Sequence, residues 1–432
     1  MKAALLLVAA IAVATEAGAQ AQFRGDAAHT GFSTGVAPRQ FHRVRWSFPT
    51  GDRVVSSPAW SNGVLFFGSD DGWVYAVDAQ SGRQRWRFRT GGPVPASPAV
   101  AGGIVYVGSY DGKFYALDET SGELVWKFAT EGERRFEARG LHGFLPKNQT
   151  IADPFDVFLS SPLIADGAVV FGSGDAHVYA LDAASGALRW KVAAGDVVHA
   201  SPAYAEGLVF VGDWASRLLA LDIRTGAERW RFQAGTDELL HNQVGFQSSP
   251  AVADGVVYVG CRDANLYAID ARTGREKWHF STAGSWVVTS PAIARGRVIF
   301  ATSDTSLYHV LDAATGQPVL QEQASAYMFS SPTVAADTVL IGLLNGTLEA
   351  RDLASGALLW DFRTPASLAN EGWVLRADRR FNAAMLFPSL WREKPAVAVE
   401  RQSAIGSFYS SPLVVGGVVY VGSADGRLYA ID

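Results

Sequence analysis

"SSPAVADGVVYVGCRDANLYAIDARTGREKWHF", residues Ser248 to Phe280, decides the fold. Three short apolar runs and a fourth ending in Trp-His-Phe are separated by turns rich in Gly, Asp and Asn, the pattern of a four-stranded antiparallel meander. The Ser-Pro step that opens it recurs at Pro58, Pro98, Pro162, Pro202, Pro250, Pro291, Pro332 and Pro412. Repeats spaced by about 40 residues, each a four-stranded unit, are the mark of propeller blades. The expected fold class is all-β, an eight-bladed β-propeller of four-stranded antiparallel blades.

The eighth copy, Ser410 to Asp432, supplies only three strands. "RVRWSFPTG", Arg43 to Gly51, has the signature of an orphan fourth strand and lies ahead of the first blade. The ring is therefore expected to close through this N-terminal strand, which completes the C-terminal blade and makes residues 43–432 a single propeller. Within the copies, "AVDAQSGRQRW" (Ala76 to Trp86) and "AIDARTGREKW" (Ala268 to Trp278) follow Ala-x-Asp-x-x-Ser/Thr-Gly-x-x-x-Trp. The Gly suits a positive-φ turn position, Asp and Ser/Thr can bond turn amides, and the Trp can cover a neighbouring blade. Trp46, Trp86, Trp126, Trp190, Trp230, Trp278 and Trp360 are thus read as structural docking residues. The sixth copy is read with Val319 in that slot, which predicts that blade six opens first.

This turn motif, with its Ser-Pro and Gly-Val-Val-Tyr-Val-Gly companions, resembles the PQQ-like β-propeller repeat family over Arg43 to Asp432. The resemblance implies two kinds of activity. The family includes quinoprotein alcohol dehydrogenases, which use pyrroloquinoline quinone (PQQ) with a divalent metal, and a non-enzymatic propeller lipoprotein of the outer-membrane assembly machinery. Cys261 is the only cysteine, so the adjacent Cys pair of many quinoprotein dehydrogenases and a Cys-x-x-Cys-His haem motif are both missing, as is a lipid-anchor Cys after the leader. The favoured reading is a periplasmic binding or assembly scaffold for an envelope protein or extended peptide segment. The alternative is a PQQ-dependent dehydrogenase that oxidises an alcohol or sugar with PQQ and Ca.

Met1-Lys2, the apolar run Ala3 to Thr15 and the small residues near Ala19 read as a signal peptide over residues 1–21, followed by an arm over 22–42. "FRGDAAHTGFS" (Phe23 to Ser33) is expected to pack irregularly. A soluble, periplasmic or secreted monomer without transmembrane segment follows from this reading. A net charge of -5 over 432 residues gives no reason to expect nucleic acid as a partner.

Function is expected where the repeat is interrupted. Insertions at 131–157, 236–246 and 363–406 all join one blade to the next and so belong on one face. Comparing the eight copies around Ser-Pro separates an apolar series (Val54, Val94, Phe158, Val198, Phe246, Val287, Met328, Phe408) from a variable one that strand alternation turns into the channel. Arg53, His199, Gln247, Trp286, Tyr327 and Tyr409 are the candidate ligand-binding residues at the channel mouth. The basic residues of the insertions, Arg134, Arg135, Arg139, Lys147, Arg376, Arg379 and Arg380, are candidates for an anionic ligand, because guanidinium groups clamp carboxylates and phosphates. Asp52, Asp156 and Asp196 are candidate mouth carboxylates. No catalytic residue is assigned, and no histidine pair has metal-binding spacing. "SDDG" (Ser69 to Gly72) and "SADG" (Ser423 to Gly426) read as hairpin turns, since they lack the spaced ligands of a calcium loop.

Overall fold

A computed structural model describes residues 21–432 except 34, 140–149, 236–244 and 387–394. The expected signal peptide, apart from Ala21, and Lys147 lie outside these residues. Eight antiparallel four-stranded blades, the seventh extended by one short parallel strand from the arm, follow in chain order as a propeller, beginning with Ala59–Ser61 at the inner edge of blade one. The N-terminal strand Val44–Pro49 pairs antiparallel with Arg427–Ile431 and supplies the outer strand of blade eight, with Trp46 opposite Ala430. The ring is closed by strand pairing between the two ends of the chain.

The repeat residues hold neighbouring blades together. The indole N–H of six of the seven docking tryptophans donates to a backbone carbonyl of the next unit: Trp46 to Ala79, Trp86 to Glu119, Trp126 to Ala183, Trp190 to Ile223, Trp230 to Ala271 and Trp278 to Ala313. The ring lies on the turn glycine of that blade. At Gly82 the backbone has φ +69°, and a Cβ would come within 2.7 Å of the Trp46 ring, so only glycine fits both the turn and the contact. In blade six the register places Leu320, not Val319, opposite Val310, and Val319 is exposed. The sixth slot therefore holds an aliphatic side chain against Gly356, with no N–H to donate.

The Ser-Pro step does more than mark the register. At each of eight positions the serine backbone N–H donates to the Oγ of the corresponding serine in the next blade, at 2.8–3.3 Å: Ser57 to Ser97, then Ser161, Ser201, Ser249, Ser290, Ser331, Ser411 and back to Ser57. This closed belt satisfies inner-edge amides that no strand covers. The preceding serine accepts within its own blade and can donate to the next; Ser160 Oγ accepts the Gly172 N–H at 2.9 Å and donates to Ala200 O at 3.1 Å.

The arm is irregular up to Thr30, as expected, but its backbone is bonded to one blade after another. Carbonyls of Ala21, Ala27, Ala28, Thr30 and Gly31 accept the N–H groups of Val100, Tyr204, Val252, Ile293 and Val334 at 2.6–2.9 Å. Phe32–Ser33 pairs in parallel with Thr333–Ala335 of blade seven, and Ser33 Oγ donates to Val414 O of blade eight. The arm thus circles the inner edge of the propeller. It then crosses to blade seven, where Pro38 accepts the Trp360 indole N–H at 2.8 Å. No helix among the described residues is long and apolar enough to cross a membrane.

Candidate functional site

Strand alternation at the inner edge brings Val55, Pro95, Leu159, His199, Gln247, Val288, Phe329 and Tyr409 together around the channel axis, above the serine belt, with Phe23 of the arm on the other side. The space between them is about 30 Å³, enough for no more than about two waters. Phe158 departs from its expected inter-blade position. It turns into the channel beside Tyr409, and a small gap remains at Gly108, where the other blades seat a Val or Phe against the equivalent glycine.

The first insertion fills the mouth above this layer. Its hairpin, Glu137–Arg139 paired with Thr150–Ala152, leads into Asp153 to Phe158, and Phe155, Val157 and Phe158 pack with Trp286, Phe329 and Tyr409. Two buried ion pairs lock it there. Asp153 accepts from Arg262 Nη1 at 2.6 Å, and both residues are fully buried. The Arg262 guanidinium lies between the Trp214 and Trp286 rings, 4.8 and 3.5 Å from their centroids. Desolvating a guanidinium is costly, and the carboxylate and two π faces replace its water. Loss of either partner of such a pair leaves a buried charge, at about 3–5 kcal/mol. The second pair joins Asp156 Oδ1 to His199 Nδ1 at 2.7 Å, with Glu133 Oε2 3.4 Å from Nε2. Burial lowers the imidazole pKa, but the Asp156 and Glu133 carboxylates outweigh it and raise it to about 9. His199 is an imidazolium at neutral pH. Phe136 stacks on Trp214 with centroids 4.5 Å apart, and Gln247 Nε2 donates to Phe155 O at 2.6 Å.

Most candidate ligand residues are therefore consumed in holding the plug. His199, Gln247 and Trp286 grip it, Tyr409 packs with Phe158 and Phe329, and Tyr327 packs against Phe381 of the third insertion. Arg53 is bound to Asp70 through Nε and Nη2 at 2.9 and 2.7 Å. The proposed anion cluster is dispersed. Arg134 pairs with Asp196, Arg376 with Asp378, and Arg379 with Asp361. Arg380 is exposed, and of Arg139 only its backbone, in the short hairpin, is described. The hairpin-turn carboxylates are also engaged: Asp71 accepts from Tyr75 and the Gly51 N–H, and Asp425 from Tyr429. Glu131, Asp175 and His177, which were not anticipated, bring possible metal-ligand atoms within 4.8 Å of one another. Glu131 is already bound by Lys191 at 2.5 Å and Asp175 by Tyr179 at 2.6 Å.

A larger opening is present among the described residues. A cavity of about 390 Å³ lies at the rim between the first insertion, the turn before blade one and helix Pro395–Ala404, and brings Arg53 and Arg135 together with Asp52, Glu400 and Ser403. The belt was not foreseen from sequence, whereas insertions that plug the channel were the alternative to insertions that bind a ligand. The signal for the belt was the serine before proline in all eight copies; the plug left only Phe158 where other copies mostly have Val.

A family model described as outer membrane protein assembly factor BamB matches residues 39–155 and 156–362, three-quarters of the chain. The comparison with curated proteins returns no match. Among solved structures the chain is similar to BamB from Moraxella catarrhalis, with 17% identity and a TM-score of 0.64 over 90% of this chain and 97% of that one. It is also similar to a europium-containing methanol dehydrogenase (14%, TM-score 0.69, 96% and 98% covered). A quinohemoprotein alcohol dehydrogenase from Comamonas testosteroni aligns at 15% identity and a TM-score of 0.70, covering 97% of this chain and 81% of that one. At these identities the likeness is one of fold.

PQQ, which these dehydrogenases suggest, does not fit the residues present. Cofactor-sized ligands occupy pockets of roughly 300–1,000 Å³, and the channel offers about 30 Å³. The aromatic faces that could hold a flat quinone at the mouth, Trp214 and Trp286, are taken by Arg262. The rim cavity has the volume, but Asp52 and Glu400 would face a tricarboxylate. On its repeat, its eight blades and the family match, the chain belongs to the PQQ-like β-propeller family whose model is described as outer membrane protein assembly factor BamB.

Proposed function

We propose that this protein is a periplasmic or secreted binding scaffold that presents its insertion face to an envelope protein or an extended segment of one. The observation that carries this reading is the third insertion, where Trp373 is 58% and Leu368 54% exposed. Large apolar side chains left in water on an anchored loop are what partner surfaces are made of, and Trp is the residue most enriched at their energetic centres. The loop beneath them is well held: Arg363 binds Glu371 and Ser367, and Val374 and Leu375 pack with Leu386 and Ile405. A rigid presenting loop loses little entropy on binding. The filled channel mouth supports the same reading, because it leaves the outer surface of this face as the part available to a ligand of protein size.

Site-specific photocrosslinking in producing cells tests the reading. A photoreactive phenylalanine analogue at position 373 is expected to give a discrete adduct, whereas the analogue at exposed Val319, on the outer edge of blade six, gives none. No adduct from position 373, or equal labelling from both positions, contradicts it.

A further inference from the structure

The rim cavity has a charge pattern that the partner-binding reading does not use. Of its two arginines, Arg53 is committed to Asp70. Arg135 has no ion-pair partner among the described residues. Across the same cavity Asp52 and Glu400 have no ion-pair partner among the described residues either, and Asp52 Oδ1 is fixed by the Arg53 N–H at 2.7 Å. Ser403 Oγ, which accepts from Arg53 Nη1 at 3.5 Å, is a neutral polar group of the wall, and Pro154 and Val399 are apolar wall. A simple anion would meet Arg135 but also two carboxylates, and a simple cation would meet two guanidinium groups. A ligand carrying both signs is matched at both ends. The cavity, about 390 Å³, is of small-ligand size.

We propose that this rim cavity binds a small zwitterion, a free amino acid or short peptide, with its carboxylate on Arg135 and its ammonium between Asp52 and Glu400. The site stands apart from the Trp373 surface, so either can fail without the other. Its chemistry is that of charge-assisted hydrogen bonds in a partly enclosed site.

The test is calorimetric titration of the full chain with L-alanyl-L-alanine, its N-acetyl form and its C-terminal amide. The unblocked dipeptide should bind saturably, and each blocked form should lose at least about tenfold, the worth of one charge-assisted hydrogen bond. Arg135→Gln and Glu400→Gln should each weaken the dipeptide by a similar factor, while Arg229→Gln, on the outer strand of blade four, should leave it unchanged. Glu400 is exposed on a surface helix, so its variant decides the matter if Arg135→Gln does not fold. No saturable binding of the dipeptide, equal binding of a blocked form, or a folded Glu400→Gln variant that binds like the parent overturns the proposal.

Discussion

His199 shows how one side chain at a channel position can serve architecture. It is buried with a carboxylate at each ring nitrogen, and the raised pKa follows from Asp156 and Glu133 overcoming the cost of burial. A histidine whose folded pKa lies above its unfolded value stabilises the fold fully below the unfolded value, and that stability is lost as pH rises through the folded one. For His199 the window runs from 6.5 to about 9. Urea melts across this window should show the parent losing stability on the alkaline side, and His199→Gln should flatten that slope. An identical slope in the variant would remove His199 from the lock. From sequence the residue was legible as channel-facing, since it stands in a series that includes Val55, Gln247 and Tyr409. Asp156 was read as a mouth carboxylate, but its pairing with His199 was not legible, because it lies 43 residues away in an insertion that carries no period. Arg262 was missed for the same reason; nothing in its turn announces two tryptophans and an aspartate from three other loops.

At the scale of the element, the blade was the most legible unit and its joints the least. Strand period and turn residues assign each meander, but the cross-blade bonds follow from positions that become neighbours only in the ring. Blade six illustrates the consequence. Leu320 replaces the docking tryptophan, so this blade alone has no indole N–H to donate from its outer strand, whereas Trp360 of blade seven donates to Pro38 of the arm. Local opening should be easiest where such bonds are fewest. Hydrogen exchange should find the amides of Leu307–Asp312 less protected than those of Arg217–Asp222, the same strand of blade four. Equal or greater protection in blade six would mean that the tryptophan bonds do not set blade stability. The insertions were legible as a shared face from their positions between blades. That the first one turns inward, carrying Phe158 away from its inter-blade place, follows from packing against Tyr409 and Phe329 and has no periodic signal.

For the whole molecule, strand pairing closes the ring at blade eight, the serine belt closes it at the inner edge, and the arm lines that edge from blade two to blade eight. The closure was legible because an unmatched strand and an incomplete blade stood at opposite ends of one repeat. The arm's course was not, since inner-edge amides look alike in every copy and can donate to any carbonyl. With the arm on one side and the first insertion on the other, the channel becomes a packed core, which leaves the face that bears Trp373 and the rim cavity as the proposed functional surface. The measurement that tests this most directly is titration of the protein with PQQ and calcium, read by tryptophan fluorescence and by calorimetry. A filled channel predicts no saturable binding at micromolar quinone, and saturable micromolar binding would contradict it.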